Sequence, residues 1–83
     1  GYRINEAYWN KKIASNALHL MVDYLSKRIK IETILAMVMP ENIYSARVLV
    51  NNGFRKENYT LNEKNWGGQE NITVDVYKYC SNN

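Results

Sequence analysis

Pro40-Glu41-Asn42-Ile43-Tyr44-Ser45-Ala46-Arg47-Val48-Leu49-Val50-Asn51-Asn52-Gly53-Phe54 reads as one complete helix with both of its ends marked. Pro40 halts the apolar run before it. Asn42 is a good N-cap, because its side-chain oxygen can accept a first-turn N–H that has no partner within the helix. Gly53 suits the left-handed position after the last turn, and Phe54 can fold back on Leu49, the contact that accompanies a Schellman ending. The helix therefore spans residues 42–52. Capping leaves one feature over: a capping box would want Glu or Gln three residues after the cap, and Ser45 stands there instead.

The stretch before this helix, residues 31–39, is apolar on both alternating faces. Ile34, Ala36 and Val38 fall on one face, and Leu35, Met37 and Met39 on the other. Such a run suits a central strand covered on both sides. Upstream, residues 12–27 follow a helical period. Ile13, Ala14, Ala17, Leu18, Leu20, Met21, Tyr24 and Leu25 share one broad face, with Ser15, Asn16, His19, Asp23, Ser26 and Lys27 on the other. That helix is expected to lie flat on a sheet. Residues 2–5 read as the end of a strand, and residues 54–61 as a strand after the second helix. Residues 72–80 read as a last strand, alternating Ile72, Val74 and Val76 against Thr73, Asp75 and Tyr77. A polar loop holding Gly67-Gly68 joins those two strands, a hairpin signal. The expected fold is α+β, in the order strand-helix-strand-helix-strand-strand. Its two right-handed crossovers leave the first three strands parallel and the last antiparallel in a mixed sheet. Only Ser81-Asn82-Asn83 reads as a frayed tail.

At 83 residues the chain holds at most one small domain, and its 46% hydrophobic and 23% charged content places it with soluble globular chains. No run approaches the ~18 consecutive apolar residues of a membrane span, and no signal-peptide pattern is present. The net charge of +3 is mild and scattered; it favours a phosphorylated small ligand and argues against nucleic acid. The single cysteine, Cys80, excludes an internal disulfide and fits a reducing, cytoplasmic setting. With only His19 to accompany it, no metal site is expected. His19 lies at the centre of its helix's solvent face and reads as a solvated histidine. Cys80 reads as a passive strand cysteine.

Five segments together resemble the C-terminal half of the GNAT N-acetyltransferases, in the ribosomal-protein N-acetyltransferase (RimJ/RimL-like) branch. They are Gly1-Tyr2-Arg3-Ile4, Tyr8-Trp9-Asn10-Lys11-Lys12-Ile13-Ala14-Ser15-Asn16-Ala17-Leu18, Pro40-Glu41-Asn42, Ser45 to Phe54, and Val74-Asp75-Val76-Tyr77-Lys78-Tyr79. They keep the family's order and cover nearly the whole chain. The resemblance implies one unit over residues 1–83, the C-terminal half of an acetyltransferase domain whose N-terminal strands and helices lie outside it. It also implies acetyl-CoA as cosubstrate and direct attack by a primary amine, with no acyl-enzyme. A protein N-terminal α-amino group is one such acceptor, and it sheds its proton more readily than a lysine side chain.

The resemblance further assigns residues. In the family the CoA pyrophosphate sits on backbone N–H groups at the start of the first helix, here Lys11, Lys12, Ile13, Ala14 and Ser15. The pantetheine arm runs along the strand ending near Ile4, in a cleft where that strand and the 31–39 strand splay apart. A backbone N–H in that region polarises the acetyl carbonyl. The family's Asn-x-x-Ser maps onto Asn42 and Ser45. Ser45 would give a proton to the departing thiolate, and Asn42 would bond the cofactor arm or order the helix start. The family's phosphate loop follows Q/R-x-x-G-x-G/A, but Trp9-Asn10-Lys11-Lys12-Ile13-Ala14 keeps only the final small residue. Lys12 replaces the glycine that lets a phosphate approach the backbone. Lys11 and Lys12 either offer their charge to the phosphates or, at Lys12, obstruct them.

Glu6, Glu32 and Glu41 are available as a general base, and nothing singles one out. Met37 and Met39 read as core or cleft wall. Trp66 reads as an acceptor-site contact, a dimer contact or an exposed loop side chain. The first strand lacks a neighbour on one side, and an open edge of this kind invites a homodimer or the missing half. The alternative is a degenerate, non-catalytic GNAT-like module for binding or assembly. Asn10 and Lys12 favour it; Ala14 and the Asn42–Ser45 pair count against it.

Overall fold

The computed structural model describes residues 2–5, 15–64 and 71–81. The expectations placed on Glu6, Asn10, Lys11, Lys12, Ile13, Ala14, Trp66, Gly67-Gly68, Asn82 and Asn83 lie outside the described residues. Within them the expected order holds: β1 (Tyr2–Asn5), α1 (Ser15–Asp23), β2 (Thr33–Val38), α2 (Ile43–Asn51), β3 (Arg55–Glu63) and β4 (Ile72–Cys80). The result is an α+β fold with a mixed four-stranded sheet in the order β1-β2-β4-β3.

β1 and β2 pair in parallel, and β4 is antiparallel to both β2 and β3. The expectation of three parallel strands holds as a pairing only for β1 and β2. β3 runs in their direction, but β4 lies between it and β2. Composition explains the exchange. β3 carries Arg55, Lys56, Glu57 and Glu63 and suits a solvated edge, whereas β4 offers apolar side chains to both faces and suits the interior.

α2 ends as its sequence demands. Gly53 takes φ +91°, the Phe54 N–H donates to the Leu49 carbonyl at 3.0 Å, and the Gly53 N–H donates to that of Val50 at 3.1 Å. Those two bonds make a Schellman ending, and Phe54 packs with Leu49 in one cluster. α1 departs from its pattern. Leu20 is 66% exposed and Tyr24 54% exposed, while Val22 is buried beside Leu18 and Leu25. The buried stripe is rotated toward Val22 because the same helix must meet α2 as well as the sheet. Past Asp23 the chain widens into a π-helical turn over Tyr24–Arg28, where the Ile29 N–H reaches back to the Tyr24 carbonyl. The turn draws Ser26, read as a polar-face residue, into the interior at 5% exposure. Its hydroxyl donates to the Val22 carbonyl at 2.9 Å. Nor is Ser81 frayed, since its N–H donates to the Glu32 carbonyl at 2.8 Å.

Strand alternation divides the apolar residues between the two faces of the sheet. On the helix side, Ile4, Ile34, Ala36, Val38 and Tyr77 pack with Leu18, Val22, Leu25, Val48, Leu49 and Phe54. On the other side, Met37, Val74 and Val76 are each 0% exposed, flanked by Leu35, Leu61 and Ile72. Among the described residues that second cluster is made of strand residues. Arg3 lies in the row Leu35–Lys78–Arg55, whereas Glu63 pairs with Ile72, six residues back along β4, on the opposite edge strand. In a flat sheet these positions are about 20 Å apart along the strands and three spacings of ~4.8 Å apart across them. Yet Arg3 Nη2 donates to both Glu63 carboxylate oxygens, at 3.2 and 3.1 Å. The hairpin end of β3 and β4, which overhangs the last β2 pair at Val38 and Asp75, must therefore curl over this face. A register shift between Lys56 and Thr60 supplies a place to bend.

Candidate functional site

α2 starts where β2 ends, and Asn42 closes its first turn. Asn42 Oδ1 accepts the Ser45 N–H at 3.1 Å, and the Asn42 carbonyl accepts that of Ala46 at 3.2 Å. Just upstream, the Asn42 N–H donates to the Met39 carbonyl at 3.0 Å and the Ile43 N–H to that of Glu41 at 3.1 Å. Asn42 and Ser45 are thus brought together by a backbone-to-side-chain bond. Of the two roles open to Asn42, the geometry draws the ordering of the helix start. Ser45 itself is 0% exposed, turned into the protein beneath that turn.

Ile4 is buried in the helix-side cluster, so only its backbone is left to meet a ligand. The expected splay between β1 and β2 is not present over residues 2–5. The parallel ladder continues to the last residue of β1, with Asn5 in register with Met37. Ser15 opens α1, while Lys11, Lys12, Ile13 and Ala14 fall outside the described residues. Among the carboxylates considered as a base, Glu32 lies ahead of β2, at the end of the strand away from α2, and Glu41 is exposed in the turn before the Asn42 cap. Met37 is core to the second cluster and Met39 is half-buried. His19 and Cys80 are both exposed. No group of three or more His, Cys, Asp or Glu side chains that could hold a metal ion occurs among the described residues.

Two residues on the concave face were not singled out by sequence reasoning. Asn5 Oδ1 is buried and has no hydrogen-bond partner among the described residues. Alternation along β1 places Asn5 on the face of Arg3 and Met37, at the end where the parallel strands finish. Glu63, whose side chain is 17% exposed, faces the same concavity and holds the Arg3 guanidinium. A polar residue two positions beyond Arg3 was the available signal for Asn5. The partner of Glu63 stands 60 residues away in sequence, so no local pattern marks it.

The model of the acetyltransferase (GNAT) domain matches residues 1–55, from the start of the chain through the Schellman ending of α2. This chain belongs to the GNAT acetyltransferase family. A Bacillus subtilis relative named "Probable N-acetyltransferase YjcK" is 44% identical to this GNAT chain over 57 residues, covering 69% of this chain and 32% of that protein. A Bacillus licheniformis relative named "Uncharacterized N-acetyltransferase p20" is 30% identical over 79 residues, covering 95% of this chain and 43% of its own length. A solved GNAT-family acetyltransferase from Bacillus anthracis superposes with a TM-score of 0.66 at 32% identity, covering 88% of this chain and 43% of that one. The ribosomal-protein-S5-alanine acetyltransferase of Vibrio fischeri shares the fold, with a TM-score of 0.73 at 24% identity over 90% of this chain and 40% of that one. The chain therefore spans less than half the length of each of these GNAT proteins.

Proposed function

We propose that this chain is the C-terminal, CoA-binding half of a GNAT N-acetyltransferase that passes acetyl from acetyl-CoA to a primary amine, a protein N-terminal α-amino group being the favoured acceptor. The observation that carries the reading is the family match over residues 1–55, which takes in both β1 and the start of α2. The ends of β1 and β2 and the first turn of α2 lie together, and open α/β sheets take their ligands beyond the carboxyl ends of parallel strands. In this reading Lys11, Lys12, Ile13, Ala14 and Ser15 hold the pyrophosphate, and the backbone near Ile4 carries the pantetheine arm. Asn42 fixes the turn that bears Ser45. The amine nitrogen bonds to the acetyl carbonyl carbon and the carbon–sulfur bond breaks; the Ser45 hydroxyl gives its proton to the departing thiolate, and the proton released from the nitrogen passes through water to restore that hydroxyl. β1 lies at the edge of the sheet, and we assign that edge to pairing with the rest of the domain or with a second copy. A cytoplasmic setting accommodates the free Cys80.

Calorimetry with acetyl-CoA tests this, on the chain alone and on a longer form carrying the flanking segments of its parent protein. Saturable binding to the longer form is expected. Replacing Ser45 by Ala should then lower turnover more than acetyl-CoA affinity, and an unchanged rate removes Ser45 from the mechanism. The non-catalytic reading is favoured by Asn10 and Lys12 and by the complete burial of Ser45. It is the outcome if the longer form shows no saturable binding and Lys12→Gly restores none.

A further inference from the structure

The start of β3 and the end of β4 set like charges side by side. Arg55 and Lys78 are direct register partners, and cross-strand neighbours of the same sign repel. Partners of this kind lie about 5 Å apart at Cα. Lys78 is half-buried, which removes part of the water that would screen the repulsion. Among the described residues neither forms an ion pair, whereas Arg3, Lys27 and Lys56 are each met by a carboxylate. A groove of about 510 Å³ opens over the pair, lined by Gly53, Arg55, Lys56, Glu57, Lys78 and Cys80. Its three cations outnumber its one carboxylate. Lys56 is answered only by Asp75 at 3.7 Å, and the register shift after Lys56 leaves Glu57 without a ladder partner. The groove lies toward the amino end of β2, whose Leu35 is the next residue in the row. It is therefore away from the first turn of α2, which follows the other end of that strand.

We propose that this groove binds the phosphomonoester group of a small metabolite, with Arg55 and Lys78 as its two ligands. A phosphomonoester carries close to two negative charges and three acceptor oxygens on one atom, so a single group neutralises both neighbouring cations. The planar fork of Arg55 takes two of those oxygens, and the Lys78 ammonium, a compact point charge, takes the third. A carboxylate would leave one of the two charges unanswered. The groove has the volume of a small-molecule site. Occupancy also relieves the repulsion between β3 and β4, so the ligand raises the stability of the folded chain. Binding here is independent of acetyl-CoA binding at the other end of β2.

The probe is methyl phosphate, titrated into the 83-residue chain at about pH 7.5, where the phosphate is a dianion. NMR follows the backbone amides of Arg55 and Lys78, and methyl sulfate, of the same shape but with one charge, is the control. Saturable shifts with a Kd of about 1 mM are expected from two charge-assisted bonds, with methyl sulfate about tenfold weaker. Cys80 is the single thiol and borders the groove, so bound methyl phosphate should slow its alkylation by iodoacetamide. Arg55→Gln and Lys78→Gln should each weaken binding about tenfold, the scale of one such bond. Lys27→Gln removes a charge that already pairs with Asp23 on α1 and should leave binding unchanged. Should Lys78→Gln fail to fold, Arg55→Gln, exposed on the edge strand, decides alone. Equal affinity for methyl phosphate and methyl sulfate, or an unchanged Kd in Arg55→Gln, overturns the proposal. So does an equal loss in Lys27→Gln, which would reduce the effect to net positive charge. The tripeptide Ala-phosphoserine-Ala separates the two sources of the group. Affinity equal to that of methyl phosphate keeps the site with small metabolites, and binding more than about tenfold tighter overturns that assignment in favour of a phosphorylated chain.

Discussion

On one face of the sheet, Leu18, Val22 and Leu25 together with Val48 and Leu49 cover Ile34, Ala36 and Val38. On the other, Met37, Val74 and Val76 pack with Leu35, Leu61 and Ile72, and an ion pair joins the two edge strands. The helix-covered face is closed by interdigitated side chains, whose contacts are lost only if the domain comes apart. The concave face carries a smaller cluster, and an ion pair with a half-exposed arginine spans its edge strands. That difference places most of the buried apolar surface on the first face.

The largest effect should come from Phe54→Ala. Phe54 is fully buried where the end of α2 meets the sheet, and its loss should cost about 3–5 kcal/mol, a large share of the stability of so small a domain. Urea unfolding would measure it. Met37→Ala puts the same question to the concave face and should cost about 2–5 kcal/mol. A loss below about 1 kcal/mol would mean that water already reaches that face, and the contrast between the faces would sharpen into closed against open. Gly53→Ala should cost about 1–2 kcal/mol on the helix side, because φ +91° strains any L side chain and the new Cβ would lie 3.2 Å from the Tyr79 ring. Removing the Ser26 hydroxyl leaves the Val22 carbonyl short of a donor beside the π turn and should cost about 1 kcal/mol. The smallest change is expected from Arg3→Met, below about 1 kcal/mol and shrinking as salt is raised. A loss comparable to that at Met37 would show the ion pair to be a structural fastening and would undo the contrast.

Where the sequence was readable, the determinants were local. Asn42, Gly53 and Phe54 act within one turn of α2, and each does what its chemistry requires. The alternation of Ile72, Val74 and Val76 against Tyr77 placed β4 correctly because a strand's period is independent of its neighbours. The candidate site was less legible. Asn42 and Ser45 were found together, yet Ser45 is turned fully inward, a matter of how α2 seats on the sheet. The face of α1 was misplaced for a related reason: periodicity finds an apolar side, but the packing of two helices on one sheet chooses which part of it is covered. Asn5 and Glu63 escaped notice because their meaning depends on a curl that no local pattern encodes.

Taken alone, the residues determined the elements and their order, the two marked ends of α2, and the GNAT family through motifs kept in register along the chain. Tertiary structure decided that β4 lies between β2 and β3, that α1 turns toward Val22 and widens into a π turn, and that Arg3 meets Glu63 across the sheet. The division has one physical cause. Caps and periodicity are set by dihedral preferences and hydrogen bonds within a few residues. Strand neighbours, helix rotation and sheet curvature are settled only when distant segments compete to bury the same apolar surface.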